Sequence, residues 1–302
     1  VLIDGHGILH RAYHALPPLT TSDGELINAV YGFTRILLNV LNELKPEYCV
    51  VAFDKKGPTF RHKEFKDYKA HRPEMDKELA CQIKRVKQVV ETLGIPHFAK
   101  EGYEADDLIG TFAKQARKKA ETIIVTSDKD LLQLLNGAVK IYFPRRGKRP
   151  AKIMQKNDFI KKYGFELKYF VDYKALIGDP SDGLPGVKGV GPKTATKLIN
   201  NYGTLEEIYQ NLDKLSKGVK NKLEKYKEEA FMSKQLAEIV QDVNVELKLN
   251  ESKLKEYDKD EVIKLLEKLE FKSLISKLPK NTWEEEVMDI LHLVDRLEEL
   301  FN

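Results

Sequence analysis

Acidic residues stand in this chain at positions where side chains could bind metal ions. Asp4 follows the apolar run VLI, Asp54 follows CVVAF, and Asp128 follows IIVTS. One aspartate after a strand is usually a turn or helix-capping residue. Three aspartates after three strands are harder to explain by capping, because the carboxyl ends of parallel strands meet at one edge of a sheet. We therefore expect these side chains to share one crevice.

The segment GYEADDLIGTFA (102–113) adds three acids at the start of an apolar helical pattern. Acids in the first turn of a helix are stabilised by the helix dipole, each by roughly 0.3–1 kcal/mol, so this segment alone needs no functional explanation. The acids that we predict to lie in the crevice form a larger set, and capping would have to explain each position independently. They are Asp4, Asp54, Glu104, Asp106, Asp107, Asp128, Asp130, Asp179 and Asp182.

A cluster of this kind favours divalent metal ions. Two unit charges 4 Å apart repel by about 4 kcal/mol at an effective dielectric constant near 20. Bound cations relieve the repulsion, and oxygen ligands without His or Cys select Mg²⁺ or Mn²⁺. Pairs of carboxylate-bound metal ions activate a water molecule and stabilise the leaving oxygen in phosphodiester cleavage. The acids, with the lysines around them, therefore indicate phosphoryl-transfer or nuclease chemistry.

The glycine-rich string GVKGVGPKTA (186–195) is a second, independent signal. Its glycines allow backbone N–H groups to approach a phosphate, and Lys193 falls in the first turn of the next helix, whose N-terminus also favours an anion. An ordinary helical hairpin is the alternative, because GxG fragments alone are weak signals. The full string with Pro192 and Lys193 favours sequence-independent binding of a nucleic-acid backbone.

Three separated blocks of basic residues favour a polyanionic partner. They lie at 55–72, 140–152 and 214–227. In the first block, FRHKEFKDYKAHRP (60–73) places aromatic residues beside Arg and Lys, so that bases could stack while the cations bind phosphates. A solvated helix is the alternative explanation. If the segment is helical, Lys69 and Arg72 lie on one face and suit two donors to one scissile phosphate.

An alternation of strand and helix patterns positions these residues through the first half of the chain. We predict strands within 1–3, 48–53, 122–127 and 139–144, and helices over 28–44, 76–93, 104–119 and 129–135. This alternation predicts an α/β fold with a mostly parallel sheet that is covered by helices on both faces. From about residue 171 the patterns become helix-rich.

Composition places the chain among globular proteins. Its 302 residues are 42% hydrophobic and 32% charged, and the length favours one larger and one smaller substructure. Cys49 and Cys81 form no CxxC pattern, which argues against structural zinc and disulfides and fits a reducing cytoplasm. No apolar run approaches the roughly 20 residues of a membrane span, so we expect no membrane partner. The chain begins VLID without Met, and we expect the native N-terminus to lie upstream.

The motifs together resemble those of the 5′-nuclease family, which includes the 5′→3′ exonuclease domain of bacterial DNA polymerase I, phage 5′ exonucleases and flap endonucleases. The strings that carry the resemblance are AVYGFTRILL, FRHKEFKDYKAHRP, EGYEADDLIGT, TSDKDLLQL and IGDPSDGLPGVKGVGPKTA. The likeness to the bacterial polymerase domain extends from VLIDGHGILHRAYHALPPL to about Leu269–Phe271.

The resemblance implies a domain organisation. A PIN-like α/β nuclease core would span 1–170 and include a basic helical arch at about 55–82. A helical DNA-binding region would follow over 171–279, with a helix–three-turn–helix at about 184–203. Residues 280–302 would form an acidic helix or linker, and a docking helix, a link to a further domain and a capping element all remain open for it.

The resemblance also implies an activity, that of a metal-dependent, structure-specific 5′ nuclease. Such an enzyme hydrolyses phosphodiester bonds of 5′ flaps and 5′ ends at DNA junctions, as an exonuclease or an endonuclease, in Okazaki-fragment processing and DNA repair. We expect a cytoplasmic monomer that binds DNA with a 5′ flap or a single-strand/double-strand junction. A DNA polymerase domain or another replication protein is a further expected partner.

Residue by residue, the resemblance implies two or more metal ions. One would be bound chiefly by Asp4, Asp54, Glu104 and Asp106. A second would lie nearer Asp128, Asp130, Asp179 and Asp182, with Asp107 between the two. Every acid of the family's set is present, which argues against an inactive paralogue.

The same resemblance implies roles for basic, aromatic and glycine residues. Lys69 and Arg72 match arch residues that stabilise the charge of the transition state, and Tyr68 could stack on the terminal base. The residues that match the duplex-gripping hairpin, where family members also bind K⁺ through backbone carbonyls, are Gly189, Gly191 and Lys193. The departures are small: His6 and Gly7 replace a small polar pair after the first aspartate, and Gly183 stands where Asn is common.

Two other functions compete with the nuclease. A non-catalytic junction-binding protein would keep the hairpin and the basic blocks, but it has no reason to keep mutually repelling carboxylates. A small-molecule phosphohydrolase would use the same acids, but it needs neither the hairpin nor the basic blocks.

Overall fold

A mixed β-sheet lies at the centre of the fold in the computed structural model, which describes residues 1–145, 147–254 and 257–280. Within these residues the strands are β1 (Leu2–Asp4), β2 (Val50–Ala52), β3 (His97–Phe98), β4 (Thr122–Val125), β5 (Val139–Phe143) and β6 (Lys152–Met154). Their order in the sheet is β3-β2-β1-β4-β5-β6. The acidic tail at 281–302 lies outside the described residues.

The central strands run parallel. Leu2 of β1 is paired with Val50 of β2 on one side and with Ile124 of β4 on the other, and β4 is parallel to β5. Only β6, among the pairs whose register is described, is antiparallel to its neighbour. The predicted mostly parallel sheet is therefore confirmed, with an antiparallel edge strand that the sequence patterns did not indicate. Because β1, β2 and β4 share one direction, the residues that follow them meet at one edge.

The helices of the described residues can be given in chain order. They are α1 (Gly5–Ala15), α2 (Asn28–Leu44), α3 (Phe60–Glu64), α4 (Lys77–Ala80), α5 (Ile83–Thr92), α6 (Ala105–Ala116), α7 (Lys156–Tyr163), α8 (Phe170–Ile177), α9 (Pro192–Tyr202), α10 (Leu205–Gln210), α11 (Lys217–Lys225), α12 (Lys227–Ala237), α13 (Leu249–Ser252), α14 (Lys259–Lys268) and α15 (Lys272–Ile275). Three single-turn 3₁₀ helices lie at Asp130–Leu134, Leu167–Tyr169 and Leu212–Lys214. No helix of the described residues is both long and apolar enough to cross a lipid bilayer.

The chain divides into two units. The first comprises Val1–Ile8, Val50–Lys77 and Phe98–Lys248, and it contains the acidic residues and the glycine-rich string. The second comprises Leu9–Cys49, Glu78–His97 and the described residues of 249–280. In the second unit, α2 begins and ends where the sequence pattern predicts.

The start of helix α6 positions three of the acids in the first unit, Glu104, Asp106 and Asp107. Its apolar residues recur at helical spacing and are buried, with Leu108, Ile109 and Phe112 fully inaccessible. The ring of Phe112 packs edge-on against Phe98, with 5.0 Å between ring centroids. Gly110 faces the segment after α12, where an added Cβ would lie 2.7 Å from the side chain of Ile239. This close packing fixes the start of α6, where Glu104 is the N-cap residue.

A buried glutamine interrupts the helix that we predict over 76–93, in the second unit. Helix α4 ends at Ala80 and α5 begins at Ile83, with Gln82 between them. The Gln82 Oε1 accepts N–H bonds from Ala29 (2.8 Å) and Val30 (3.2 Å). These N–H groups lie in the first turn of α2 and have no intrahelical partner, so Gln82 caps α2. The helix predicted over 76–93 is interrupted at this residue.

The basic segment 60–73 is not one helix, which corrects the hypothesis that Lys69 and Arg72 share a helix face. Helix α3 ends at Glu64, and turns follow from 66 to 71. Lys69 has a φ of 55°, a left-handed conformation that interrupts a right-handed helix. Its N–H donates to the Asp182 carbonyl at 2.9 Å, so a contact distant in sequence determines the backbone here.

Truncation of the α6 core tests this account of how the acids are positioned. We expect Phe112→Ala to lower the free energy of unfolding by about 3–5 kcal/mol, because it removes a fully buried ring and leaves a cavity. Chemical denaturation measures the change. Leu19→Ala is the control, since Leu19 is 43% exposed and its truncation should change stability by less than about 0.5 kcal/mol. Equal effects of the two substitutions would contradict the packing described for α6.

Candidate metal centre and nucleic-acid interface

Asp4 lies at the centre of the acidic edge. It ends β1, is 4% exposed, and accepts hydrogen bonds from the Gly7 N–H (2.8 Å) and the Thr126 hydroxyl (2.7 Å). Burial raises the pKa of Asp4 to about 7; the two hydrogen bonds oppose this shift, and the charges of Asp54 and Asp128 add to it. A Cβ on Gly7 would lie 2.0 Å from the Asp4 carboxylate, so glycine is required after His6. Positive charge is needed nearby to keep Asp4 ionised.

Asp54 connects the end of β2 to the start of α6. Its Oδ1 accepts the Ala105 N–H at 2.7 Å, and its own N–H donates to His6 Nδ1 at 2.9 Å. The side chain is 46% exposed, and its Oδ2 lies 3.8 Å from the His6 ring nitrogen. His6 therefore contacts a residue of the acidic edge, as its position after Asp4 suggests.

Glu104 and Asp106 project from the first turn of α6. The Glu104 carboxylate accepts bonds from Lys69 Nζ at 2.8 and 2.9 Å and from the Tyr68 hydroxyl at 3.2 Å. Burial raises the pKa of Asp106 well above its usual range, and the charges of Asp128, Asp4 and Glu104 raise it further. Asp106 is thus an acid whose ionisation the neighbouring carboxylates oppose, as expected for a residue that binds a cation.

Two further pairs of acids lie after β4 and after α8. The Asp128 Oδ1 accepts the Asp130 N–H at 2.9 Å. The Lys174 ammonium contacts both the Asp130 carboxylate and the Asp179 Oδ2, the latter at 3.0 Å. Burial raises the pKa of Asp130 to about 6 although Lys174 opposes the shift. Burial also acts to raise the pKa of Asp179, but hydrogen bonds from Ser181 and the Lys174 charge outweigh it and lower the value.

Arg72 and Lys69 contact the loop after α8. Arg72 donates from Nη2 to the Asp182 carboxylate and from Nε to the Ser181 carbonyl, the latter at 3.0 Å. Gly183 lies next to this contact with a φ of 72°, and a Cβ there would be 2.8 Å from the Asp67 carbonyl oxygen. The glycine at this position therefore allows the basic segment to approach the loop closely.

The acids fit a hard divalent ion in their chemistry, but their present partners are side-chain cations. No three His, Cys, Asp or Glu side chains of the described residues are arranged to hold a metal ion as they stand. Four of the acids, Glu104, Asp182, Asp130 and Asp179, instead contact the cations of Lys69, Arg72 and Lys174. An all-oxygen donor set with raised pKa values at Asp4, Asp106 and Asp130 suits Mg²⁺ or Mn²⁺.

Asp107 differs from the other acids, and its contacts argue against the metal-ligand role that the sequence predicts for it. Its side chain is fully buried and accepts two bonds from Arg61, each at 2.8 Å. It also accepts the N–H groups of Glu104 (3.0 Å) and Val240 (2.9 Å). Two carboxylate oxygens offer about four lone-pair sites, so this residue has no capacity left for an ion.

Tyr68 lies inside the protein in this conformation. It is 3% exposed, and its ring packs with Leu184, Leu236 and Ala237. Lys69 Nζ lies 4.9 Å from the ring centroid. Stacking of Tyr68 on a terminal base therefore requires residues 66–72 to leave this packing, and the role stays a prediction.

The glycine-rich string connects α8 to α9. A Cβ on Gly186 would lie 2.3 Å from the Gly178 nitrogen, so the two turns approach closely. Gly189 has a φ of 85°, and its carbonyl accepts a bond from Lys222 Nζ at 2.9 Å. Gly191 is the N-cap residue of α9 and Pro192 is its first residue. Lys193 follows in the first turn, and its side chain is exposed. The N–H groups there can face an anion.

Sequence reasoning missed three cations of this site. Lys174 interrupts the apolar run FVDYKALI, and a buried lysine requires an acidic partner, so its position was a usable signal. Arg61 belongs to the basic block 55–72, which favours a polyanionic partner, but it is only 2% exposed. Lys222 belonged to the 214–227 block, and nothing in the sequence indicates its contact with Gly189.

Two family models match the chain. The model of the 5′-3′ exonuclease N-terminal resolvase-like domain matches residues 1–164, and that of the 5′-3′ exonuclease C-terminal SAM fold matches residues 166–260. DNA polymerase I of Caldicellulosiruptor bescii is 44% identical over 281 residues, which is 92% of this chain and 33% of that protein. DNA polymerase I of Bacillus subtilis is 38% identical over 288 residues, 95% of this chain and 33% of that protein. The chain thus spans about a third of the length of these relatives.

Solved structures share the fold. T5 5′-exonuclease with bound zinc ions superposes with a TM-score of 0.66 at 21% identity, covering 79% of this chain and 89% of that one. The catalytic core of Rad2 in complex with DNA gives a TM-score of 0.62 at 19% identity, covering 89% and 86%. The predicted fold class and resemblance are confirmed by these likenesses and by the family models, and the chain belongs to the 5′-3′ exonuclease family of nucleases.

Proposed function

We propose that this chain is a divalent-metal-dependent, structure-specific nuclease that cleaves 5′ flaps and 5′ ends at DNA junctions. One observation carries the proposal: acids from the ends of β1, β2 and β4, from α6 and from the 179–182 loop come together, and several have pKa values raised by burial and mutual repulsion. A protein that only bound DNA would gain nothing from this repulsion. A small-molecule phosphohydrolase would not need the basic segments around it.

The proposed metal ligands are the sequence-derived set without Asp107. We assign Asp4, Asp54, Glu104 and Asp106 to one Mg²⁺ or Mn²⁺ ion, and Asp128, Asp130, Asp179 and Asp182 to a second. Ions bound there would supply Lewis-acid activation of a water and stabilisation of the leaving oxygen. The chain itself would hold these carboxylates ionised. The cations of Lys69, Arg72 and Lys174, which now contact four of them, would give way to metal.

That exchange gives Lys69 and Arg72 their proposed catalytic role. Both now neutralise acids, with Lys69 on Glu104 and Arg72 on Asp182. With metal ions held by these acids, the Lys69 ammonium and the Arg72 guanidinium would be free to donate to the scissile phosphate. Tyr68 borders Lys69, and we propose that it reaches a terminal base when the segment rearranges.

Two basic surfaces support a DNA substrate. The first is the hairpin of Gly189, Gly191 and Lys193, to which Lys222 adds a fourth group. A K⁺ ion bound through backbone carbonyls there would displace the Lys222 ammonium from Gly189. The second surface is the β5–β6 connection, with exposed Lys148 and Arg149, together with exposed Lys152 at the start of β6. Because β5 is parallel to β4, this connection leaves the sheet at the acidic edge.

The relatives support a proposal for the biological setting. Curated DNA polymerase I proteins continue well beyond the matched region. We propose that this chain acts in the cytoplasm as a monomer during DNA replication and repair, attached to or beside a DNA polymerase.

The first test is cleavage of a 5′-flap DNA labelled at its 5′ end. With Mg²⁺ we expect a labelled product released near the junction, and with chelator none. A duplex without a flap and a single strand are the matched substrates. A chain that binds the flap but yields no metal-dependent product would be a junction-binding protein, and hydrolysis confined to small phosphate esters would favour the phosphohydrolase.

A second test separates catalysis from binding at Lys69. We expect Lys69→Ala to lower kcat by about 100-fold, since a donor to developing charge typically contributes 10²–10³. Duplex affinity should change by less than about threefold. Lys66→Ala is the control, because Lys66 is an exposed lysine of the same segment. If affinity and turnover fall together in Lys69→Ala, the residue binds substrate and does not act in the transition state.

A third test addresses the hairpin. Lys193→Ala should weaken duplex binding, and the slope of log K against log salt concentration should become shallower by about 0.9, as expected for one lost phosphate contact. Fluorescence anisotropy at several salt concentrations measures both quantities. Lys118→Ala serves as control, since Lys118 is exposed beyond the end of α6, away from that helix's acidic N-terminus. An unchanged slope in Lys193→Ala would exclude a phosphate contact there.

A further inference from the structure

Arg61 makes an unusually complete set of contacts for a residue of a basic segment. Its two terminal nitrogens donate to the two oxygens of Asp107, each at 2.8 Å. Its Nε donates to the Leu236 carbonyl at 2.9 Å, and Nη2 donates also to the Glu238 carbonyl at 2.7 Å. Burial and these contacts remove Arg61 from the surface that DNA can reach.

The contacts of Arg61 join three parts of the first unit. Arg61 itself lies in α3, eight residues before Lys69, and the Phe60 N–H donates to the Gly102 carbonyl at 3.0 Å. Asp107 lies in the first turn of α6, and residues 236–240 follow α12. The start of the basic segment and the end of α12 are thus bound to the turn that carries Glu104 and Asp106.

Asp107 transmits this connection to the metal ligands. Its Oδ2 accepts the N–H of Glu104, and its Oδ1 accepts the N–H of Val240. Arg61 Nη1 also lies 3.7 Å from the Glu104 carboxylate. Loss of the guanidinium would leave a buried, uncompensated charge beside Glu104, and the turn would have to move to hydrate it.

We propose that Arg61 and Asp107 are positioning residues of the nuclease: their pair holds Glu104 and Asp106 in place for metal, and holds the start of the segment that carries Lys69. The inference rests on the proposed function for its catalytic consequence. Its structural part, that Asp107 serves Arg61 and binds no metal, stands on the contacts alone.

A double-mutant cycle tests the pair. The variants are Arg61→Met, Asp107→Leu and the combination of the two. The double variant replaces both charges by apolar groups of similar volume, so it leaves no lone buried charge. The readouts are Mn²⁺ affinity and stoichiometry by titration calorimetry, hydrogen exchange of the Glu104 and Val240 amides, and flap-cleavage kcat and KM. Thermal melting restricts the comparison to variants that are folded at the assay temperature.

We expect each variant to weaken Mn²⁺ binding by about tenfold without loss of a site, and to lower kcat by at least about 30-fold with little change in KM. The double variant should be no worse than either single variant, because both remove the same pair. Its melting temperature should exceed that of the single variants. Loss of one bound Mn²⁺ in Asp107→Leu, or multiplicative losses in the double variant, would overturn the proposal and make Asp107 a ligand.

Two further variants separate the forked geometry from charge and from stability. Arg61→Lys keeps the charge but cannot bond both Asp107 oxygens, so we expect the same loss as in Arg61→Met; full activity would show that charge suffices and would overturn the proposal.

Arg85→Met with Glu25→Leu removes a bidentate pair of 2.7 and 2.8 Å in the second unit. That control should lower the melting temperature and leave Mn²⁺ binding unchanged. If neither the native chain nor any variant cleaves flaps, but the calorimetric and exchange results are as expected, the proposed function is wrong. The positioning role of the Arg61–Asp107 pair is then still supported.

Discussion

Mutual repulsion among carboxylates at one edge of the sheet is the constraint to which the surrounding structure responds. Parallel β1, β2 and β4 end at this edge, and α6 starts there, so topology brings Asp4, Asp54, Asp128 and the α6 acids together. Burial makes the ionised state of Asp4 and Asp106 unfavourable and raises their pKa values. Cations are therefore required close by, and the basic segment 60–73 and α8 supply them through Lys69, Arg72 and Lys174.

These basic side chains differ in how easily metal could replace them. Arg72 is 47% exposed, so it can exchange an acid for solvent or phosphate at modest cost, whereas Lys69 is 19% exposed and can leave Glu104 only when another cation replaces it. The Arg61–Asp107 pair is 3% and 0% exposed and is joined to backbone groups on both sides. The first kind of pair can neutralise acids reversibly, whereas the second is a fixed part of the framework.

Much of this arrangement was predictable from local pattern. The apolar runs gave the central strands, and the helical spacing of Leu108, Ile109 and Phe112 gave α6 together with the acids at its start. Local pattern could not predict partners that are distant in sequence. Arg61 pairs with Asp107, 46 residues away, and the Val240 N–H, 133 residues from Asp107, donates to the same carboxylate. The break at Gln82 and the turns around Lys69 have the same origin, since tertiary contacts overrode a helical pattern. Composition likewise indicates that a segment is basic, but not which of its cations are buried.

The glycine at position 183 has a consequence for comparing members of this family. Because a Cβ there would lie 2.8 Å from the Asp67 carbonyl, the side chain at 183 limits how near residues 66–69 can come to the loop. A homologue with asparagine at this position can keep the left-handed backbone but must hold that stretch farther out. The position of Lys69 relative to this loop therefore depends on which residue stands at 183.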